Sequence, residues 1–389
     1  MRPLLAILAF VLVVLAVFAA FVAGYTLRGD TGSGTAGGSA VGASSLDALI
    51  VKELQDHYYK PVDAARLERA GVAATLASLQ DPYTVYLTPK QSQALTDSLS
   101  GSYSGIGAEF DKRGAKLIVT GVFSGSPAKA AGLAAGDWIV AVDGAAIAGL
   151  SADAAAARIK GVEGSHVTLS VRTAGKGAAH AVTLTRRKIA TPETQVKLLH
   201  SGGEAIGYIY VPSFATGVGA AVGRDVTALQ ARGARAFVLD LRFDPGGYIT
   251  EACNVSSDFL SGGVVVSTHG LHEPTQIYRA TGHPVTSRPL VVLVNKWSAS
   301  ASEITAGALQ DHHRATIIGT RTYGKGVAQT NFSLPGGATL HMTIAGYLTP
   351  DGRDINHKGI TPSVTVADNA KTPRDEALDR AVQYLVSGH

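Results

Sequence analysis

The chain has a single cysteine, Cys253, in 389 residues. That excludes an intramolecular disulfide and any cysteine-rich metal site, and a lone cysteine reads as a small buried residue rather than a reactive thiol. Excess charge of one sign is also lacking. Lys and Arg total 34 against 30 Asp and Glu, a net charge of +4, with no dense basic patch, so nothing points to nucleic acid. No phosphate-cradling loop is present: the GKG at 324–326 lacks the upstream glycine and the downstream Ser or Thr of a P-loop. His312 and His313 are adjacent, so on a helix they point apart and make no natural metal pair. Glycine, by contrast, is abundant at 45 residues, which implies many turns and close backbone approaches.

The length exceeds one ordinary core and predicts two or three domains. Leu4 to Ala23 is wholly apolar and long enough to span a bilayer. Residues 1–28 are therefore expected to be an uncleaved membrane anchor, or a signal segment if the small residues of "VFAAFVAG" are cut. The remainder would lie outside the cytoplasm, and would be secreted after cleavage. Residues 29–45 are Gly/Ser-rich and read as a flexible linker. Residues 46–100 carry apolar residues at helical spacing and predict a helical module, with Asp63 as a candidate helix cap. It shows no obvious chemistry, but offers a possible surface for a homo-oligomer.

Short strands between Gly and Asp turns fill residues 101–187: "GIGAEF", "KLIVTGVF", "DWIVAVDG" and "HVTLSVRT". "SPAKAAGL" and "SADAAAARIK" read as two short helices among them. Residues 188–386 alternate apolar strands with helices, as in an α/β layer structure, and add a hairpin through Pro335–Gly336–Gly337.

"NKWSASASEITAG" (295–307) holds serines at alternate positions, Ser298, Ser300 and Ser302, between a buried-type strand and a helix. Ser300 and Glu303 have the spacing of a capping box. The same strand–turn–helix geometry also exposes a nucleophile beside free backbone N–H groups. A serine needs a base. His312 and His313 fall towards the far end of the helix. Lys325, flanked by Gly324 and Gly326, can enter a cramped site, although a surface or phosphate-binding lysine fits the same pattern. Gln329 would neighbour Lys325 on a helical turn, or lie about 13 Å away on an extended strand.

Resemblance adds to these readings. "GSPAKAAGLAAGDWIVAVDGAAI" resembles a PDZ domain, which implies a groove that takes a peptide C-terminus as an added strand, its carboxylate near Gly105, Ile106 and Gly107. "WSASASEITAGALQDHHRATIIGTRTYGKGVAQT", "DLRFDPGG", "YLTPDGRDINHKGITPSV" and "LASLQDPYTVYLTP" resemble the C-terminal processing, or tail-specific, peptidases, over roughly residues 46–370. The resemblance implies a multi-domain α/β protein: anchor, helical module, PDZ domain and a crotonase/ClpP-like serine protease core over 188–386. It implies Ser300 as nucleophile, Lys325 as general base and Gln329 as the group that orients the lysine. The oxyanion would rest on backbone N–H groups of Ala301 and a glycine of the DPGG loop, Gly246 or else Gly247. No metal or cofactor is implied, and the partners are proteins or peptides with free C-terminal tails. Asp311 reads as structural. Asp244 stands where the family pattern has Asn, and Lys160 where it often has Arg. The competing readings are a membrane-anchored PDZ scaffold with an impaired core, and a crotonase-like enzyme acting on thioesters.

Overall fold

The computed structural model describes residues 45–63, 72–113, 116–150, 152–369, 372 and 374–387. The anchor expected over 1–28, the linker before residue 45 and the helix start after Asp63 lie outside the described residues. Among the described residues, no helix is long and apolar enough to cross a membrane. They form two compact units: residues 100–192, and residues 45–99 together with 193–387.

In the first unit, a sheet runs in the order Ala108–Arg113, Lys116–Val122, Trp138–Val142, His166–Arg172 and His180–Thr185. Every neighbouring pair is antiparallel. Alternation along the strands produces the core. In His166–Arg172, Val167, Leu169 and Val171 are buried, each contributing roughly 1.5–3 kcal/mol, while the intervening residues face outward. Helices Pro127–Ala130 and Ala152–Ile159 match the expected pair.

The second unit holds a six-stranded sheet ordered Gln195–Ser201, Glu204–Tyr210, Ala236–Asp240, Leu290–Val294, Thr316–Gly319 and Val364–Thr365. The first pair is antiparallel and the rest are parallel. The central strands Ala236–Asp240 and Leu290–Val294 are buried at every residue, which explains their unbroken apolar runs. Helices Val218–Ala231, Ile249–Ser257 and Ala301–Asp311 pack in succession, and helix Glu376–Ser387 lies on three of the strands.

A second sheet centres on the long strand Thr339–Leu348, which pairs with Val327–Ser333, Val264–His269 and Val85–Leu87. The expected hairpin turn is present at Pro335–Gly337, closed by Leu334 N–H donating to Ala338 O. The stretch read as a separate helical module is built into this unit. Ile50, Val51 and Leu54 of helix Ser45–His57, with Tyr58 just after it, share a core with Leu334, Leu340 and Met342. The apolar face of this helix is thus covered within the unit. Its 3.6-residue period reports burial and cannot say against what.

Candidate active site

The parallel strand Leu290–Val294 runs into helix Ala301–Asp311 through a turn with Ser300 at its end. Ser300 has φ 54° and ψ −115°, a conformation that costs a non-glycine residue about 1–3 kcal/mol. The three serines separate by their bonds. Ser298 Oγ donates to Leu241 O at 2.8 Å, and Ser302 Oγ donates to Asp244 O at 3.0 Å. Both are fully buried staples between the serine turn and the loop after strand Ala236–Asp240. Ser300 is half-buried and opens the helix in a capping box with Glu303.

The DPGG loop closes on the serine. Ala299 N–H donates to Asp244 O at 3.0 Å. Gly246 has φ 100°, and a Cβ there would stand 2.7 Å from Ser300 Cβ and 2.8 Å from Ala299 O, so only glycine fits this approach. Gly246 N–H, expected to face an oxyanion, instead donates to Asp244 Oδ1 at 2.8 Å. That is an Asx turn, which Asp and Asn both make. Gly246 N–H is thus committed to Asp244 in this structure. Asp244 is fully buried with Oδ2 unpartnered. Burial raises its pKa well above the ordinary carboxylate range, against the pull of the Gly246 N–H bond.

Glu303 joins the serine to the lysine. Its carboxylate accepts from Ser300 N–H at 2.9 Å, Lys325 N–H at 2.9 Å, Gly324 N–H at 2.7 Å and Thr322 Oγ1 at 2.5 Å. The capping box legible at Ser300 and Glu303 therefore extends into a four-donor clamp. Its second half comes from a distant loop, so no local spacing signals it. Burial still raises the Glu303 pKa, against those four bonds. Tyr347, buried on the long strand, donates its hydroxyl to Lys325 O and lies 3.3 Å from Ser300 O. Segment 354–359 packs on the GKG loop: Asn356 Oδ1 accepts from Gly326 N–H at 3.2 Å, and His357 N–H donates to Gly324 O at 2.8 Å.

Lys325 is half-buried as a residue, with its ammonium enclosed. Burial drives its pKa from 10.5 down to about 8, against Asp81 and Glu303, which raise it. The ammonium stands 5.0 Å from the centre of the Tyr83 ring, a cation–π contact. No hydrogen bond joins Lys325 Nζ to Ser300 Oγ or to Gln329. Gln329 sits on strand Val327–Ser333, just after a bulge, and its Nε2 donates to Val327 O at 3.2 Å. The helical-turn alternative for Lys325 and Gln329 is thereby replaced by an extended one. Asp311 is at the far end of the serine helix, ion-paired with Arg353, and His312 there bonds Val264 O at 2.7 Å. Neither approaches Ser300 along the helix.

In the other unit, Gly105, Ile106 and Gly107 lead into Ala108–Arg113, which is an edge strand beside helix Ala152–Ile159. Ile106 is core. Gly107 has φ 74°, and a Cβ would meet Ser126 Cβ at 2.3 Å. Ile106 O accepts from Ala128 N–H, and Gly107 O from Phe123 N–H and Ser126 Oγ. An open strand edge flanked by a helix is the geometry for strand addition. Lys160 lies 5.0 Å from the Tyr103 ring.

Residues 205–366 match peptidase family S41, and residues 118–173 match a PDZ domain. The chain is 40% identical to the carboxyl-terminal-processing protease of Picosynechococcus sp. over 297 residues, 76% of this chain and 72% of that one. It is 35% identical to the carboxyl-terminal-processing protease of Synechocystis sp., over 86% of this chain and 81% of that one. It is 31% identical to the carboxy-terminal processing protease CtpA of Bacillus subtilis, over 86% and 72%. Among solved structures, the photosystem II D1 C-terminal processing protease superposes with a TM-score of 0.55 at 29% identity, over 88% of this chain and 97% of that one. With its serine turn, its glycine loop and its strand-edge unit, the chain belongs to the carboxyl-terminal-processing serine proteases of peptidase family S41 and carries a PDZ domain.

Proposed function

We propose that this protease hydrolyses peptide bonds with Ser300 as nucleophile and Lys325 as general base, acting on extracytoplasmic proteins whose C-terminal tails bind the PDZ groove. The observation that carries this is the Glu303 clamp, which bonds the backbone of Ser300 and of Lys325 with one buried carboxylate. Neutral Lys325 Nζ takes the Ser300 hydroxyl proton as Oγ bonds to the scissile carbonyl carbon. The tetrahedral oxyanion rests on the N–H groups of Ala301 and Gly247. The C–N bond breaks, the leaving amine takes the proton from Lys325, and an acyl-Ser300 ester remains. Water then attacks the ester, giving a proton to Lys325, which passes it to Ser300 Oγ as the acyl C–Oγ bond breaks and the carboxylate product leaves. For this the lysine swings from the Tyr83 ring to Ser300 Oγ, and Gln329 orients it there. A lysine base needs a depressed pKa, and a value of about 8 leaves roughly a tenth neutral at pH 7.

The tail would extend the edge strand Ala108–Arg113, its carboxylate held at Gly105–Gly107. The apolar segment at 4–23 would tether the enzyme to the membrane. The test is cleavage of an unfolded protein ending in an apolar tail, followed by mass spectrometry with the wild type, Ser300→Ala and Lys325→Ala. Cleavage by the wild type alone supports the reading. Equal cleavage by either variant overturns that residue's role.

A further inference from the structure

The turn Asp81–Pro82–Tyr83–Thr84 is remote in sequence from the serine and the lysine, and it is folded by one carboxylate. Asp81 accepts from Tyr83 N–H at 2.9 Å, from Thr84 Oγ1 at 2.6 Å and from the Tyr58 hydroxyl at 3.3 Å. Thr84 Oγ1 in turn accepts from Thr343 N–H at 3.1 Å, and Thr343 is the cross-strand partner of Gln329. The next residues, Val85–Leu87, pair with the long strand at Thr339–His341. These bonds fix Tyr83, a buried residue, with its ring against the Lys325 ammonium at 5.0 Å. The Tyr83 side chain also bonds Tyr323, two residues before the lysine.

Among the described residues, five titratable side chains lie against Lys325. Asp81 comes from this turn and Glu303 from the serine helix, and both favour the ammonium form. Glu303 already serves four donors. His341, on the long strand, is pushed down to about 4 by burial and by Lys325, so it is neutral above that pH. Tyr83 and Tyr347 are raised by burial and stay neutral. Asp81 is therefore the anion whose removal leaves the serine clamp untouched.

We propose that the Asp81–Thr84 turn is the resting seat of Lys325: the Tyr83 ring holds the ammonium away from Ser300, and Asp81 positions that ring. This rests on the Ser300–Lys325 reading. The segment before the PDZ unit is then part of the catalytic site, and the base becomes available only when the amine leaves the seat. Both parts favour the charged amine, so weakening either makes deprotonation easier.

The experiment is the pH profile of kcat/KM, which reports the free enzyme, measured on the full chain with an internally quenched peptide ending in an apolar residue with a free carboxylate. Asp81→Asn keeps an oxygen acceptor for Tyr83 N–H, turns its amide N–H towards Thr84 Oγ1 and removes the charge. Tyr83→Leu removes the ring and leaves Asp81 bonded to Thr84 and Tyr58. Each is expected to move the acid limb about 0.5–1 pH unit lower, about a three- to tenfold gain in kcat/KM well below the limb. Melting curves show whether each variant is folded, and either one alone carries the test. An acid limb unmoved within about 0.2 unit, or moved upward, in a folded variant overturns the seat. If Lys325→Ala still cleaves, the Ser–Lys reading itself falls. If Lys325→Ala is inactive and the limb stays in place, only the seat falls.

Discussion

Replacing Lys325 with Met should stabilise the fold at neutral pH. The native environment lowers the amine from 10.5 to about 8, so folding disfavours its charged form. A difference of about 2.5 pH units corresponds to about 3 kcal/mol. Lys325 is half-buried as a residue, so solvent screens part of this. The lost contact with the Tyr83 ring offsets a further 0.5–1 kcal/mol, approximately. The expected net gain for Lys325→Met is about 1–2 kcal/mol at pH 7. The sign fixes the pH course. Below pH 8 the lysine is charged in both states and the full penalty applies. Between 8 and 10.5 the unfolded chain still holds a proton that the folded one has released, so the penalty shrinks as pH rises and is gone above 10.5. The assay is urea unfolding of Lys325→Met and its parent, both carrying Ser300→Ala to prevent self-cleavage, at pH 6, 7, 9 and 10. A purely apolar benefit of Met would be independent of pH. A difference that stays flat or grows from pH 7 to 10 would therefore refute the claim that burial of charge depresses this lysine.

Asp244→Asn keeps an acceptor for Gly246 N–H and removes a buried ionisable group. The folded pKa of Asp244 is raised, so its penalty begins near pH 4 and grows with pH. The variant should match the parent near pH 4 and melt progressively higher above it; equal melting temperatures at pH 8 would contradict the raised pKa. Gly246→Ala forces a Cβ to 2.7 Å from Ser300 Cβ at φ 100°. It should lower kcat at least about 100-fold, as a 1 Å misplacement does, read by steady-state hydrolysis. Glu303→Gln turns an amide donor onto N–H groups that now bond a carboxylate. It should destabilise the second unit by about 2–4 kcal/mol and abolish cleavage, measured by urea midpoint and peptide assay.

The legible parts of this site and fold share one property: their physical cause is local in sequence. "PLVVLV" reads as a buried strand because parallel neighbours cover both faces, and each of Leu290–Val294 is buried. The Pro-Gly-Gly hairpin and the Gly-flanked Lys325 follow from backbone geometry that few other residues adopt. Glu303 was visible only as a helix cap, because three of its four donors come from residues 322–325. The same limit hid the role of residues 46–100. The helical period there is real, but its apolar face closes on Leu334, Leu340 and Met342 rather than on itself. Gly246 shows the converse. Gly246 reads as an oxyanion donor, yet the direction of its N–H depends on Asp244 Oδ1 two residues earlier. An Asx turn at Asp–Pro–Gly predicts that bond from sequence alone, and with it that Gly246 N–H is already engaged. The Asp81 turn combines both cases. Its fold is local, since Asp81 caps Tyr83 and Thr84, whereas its meaning is not, since the strand pairing of Val85–Leu87 with Thr339–His341 sets which lysine the ring meets. A local motif with no evident partner inside its own segment is therefore the place to look for a missing part of a site assembled from several segments.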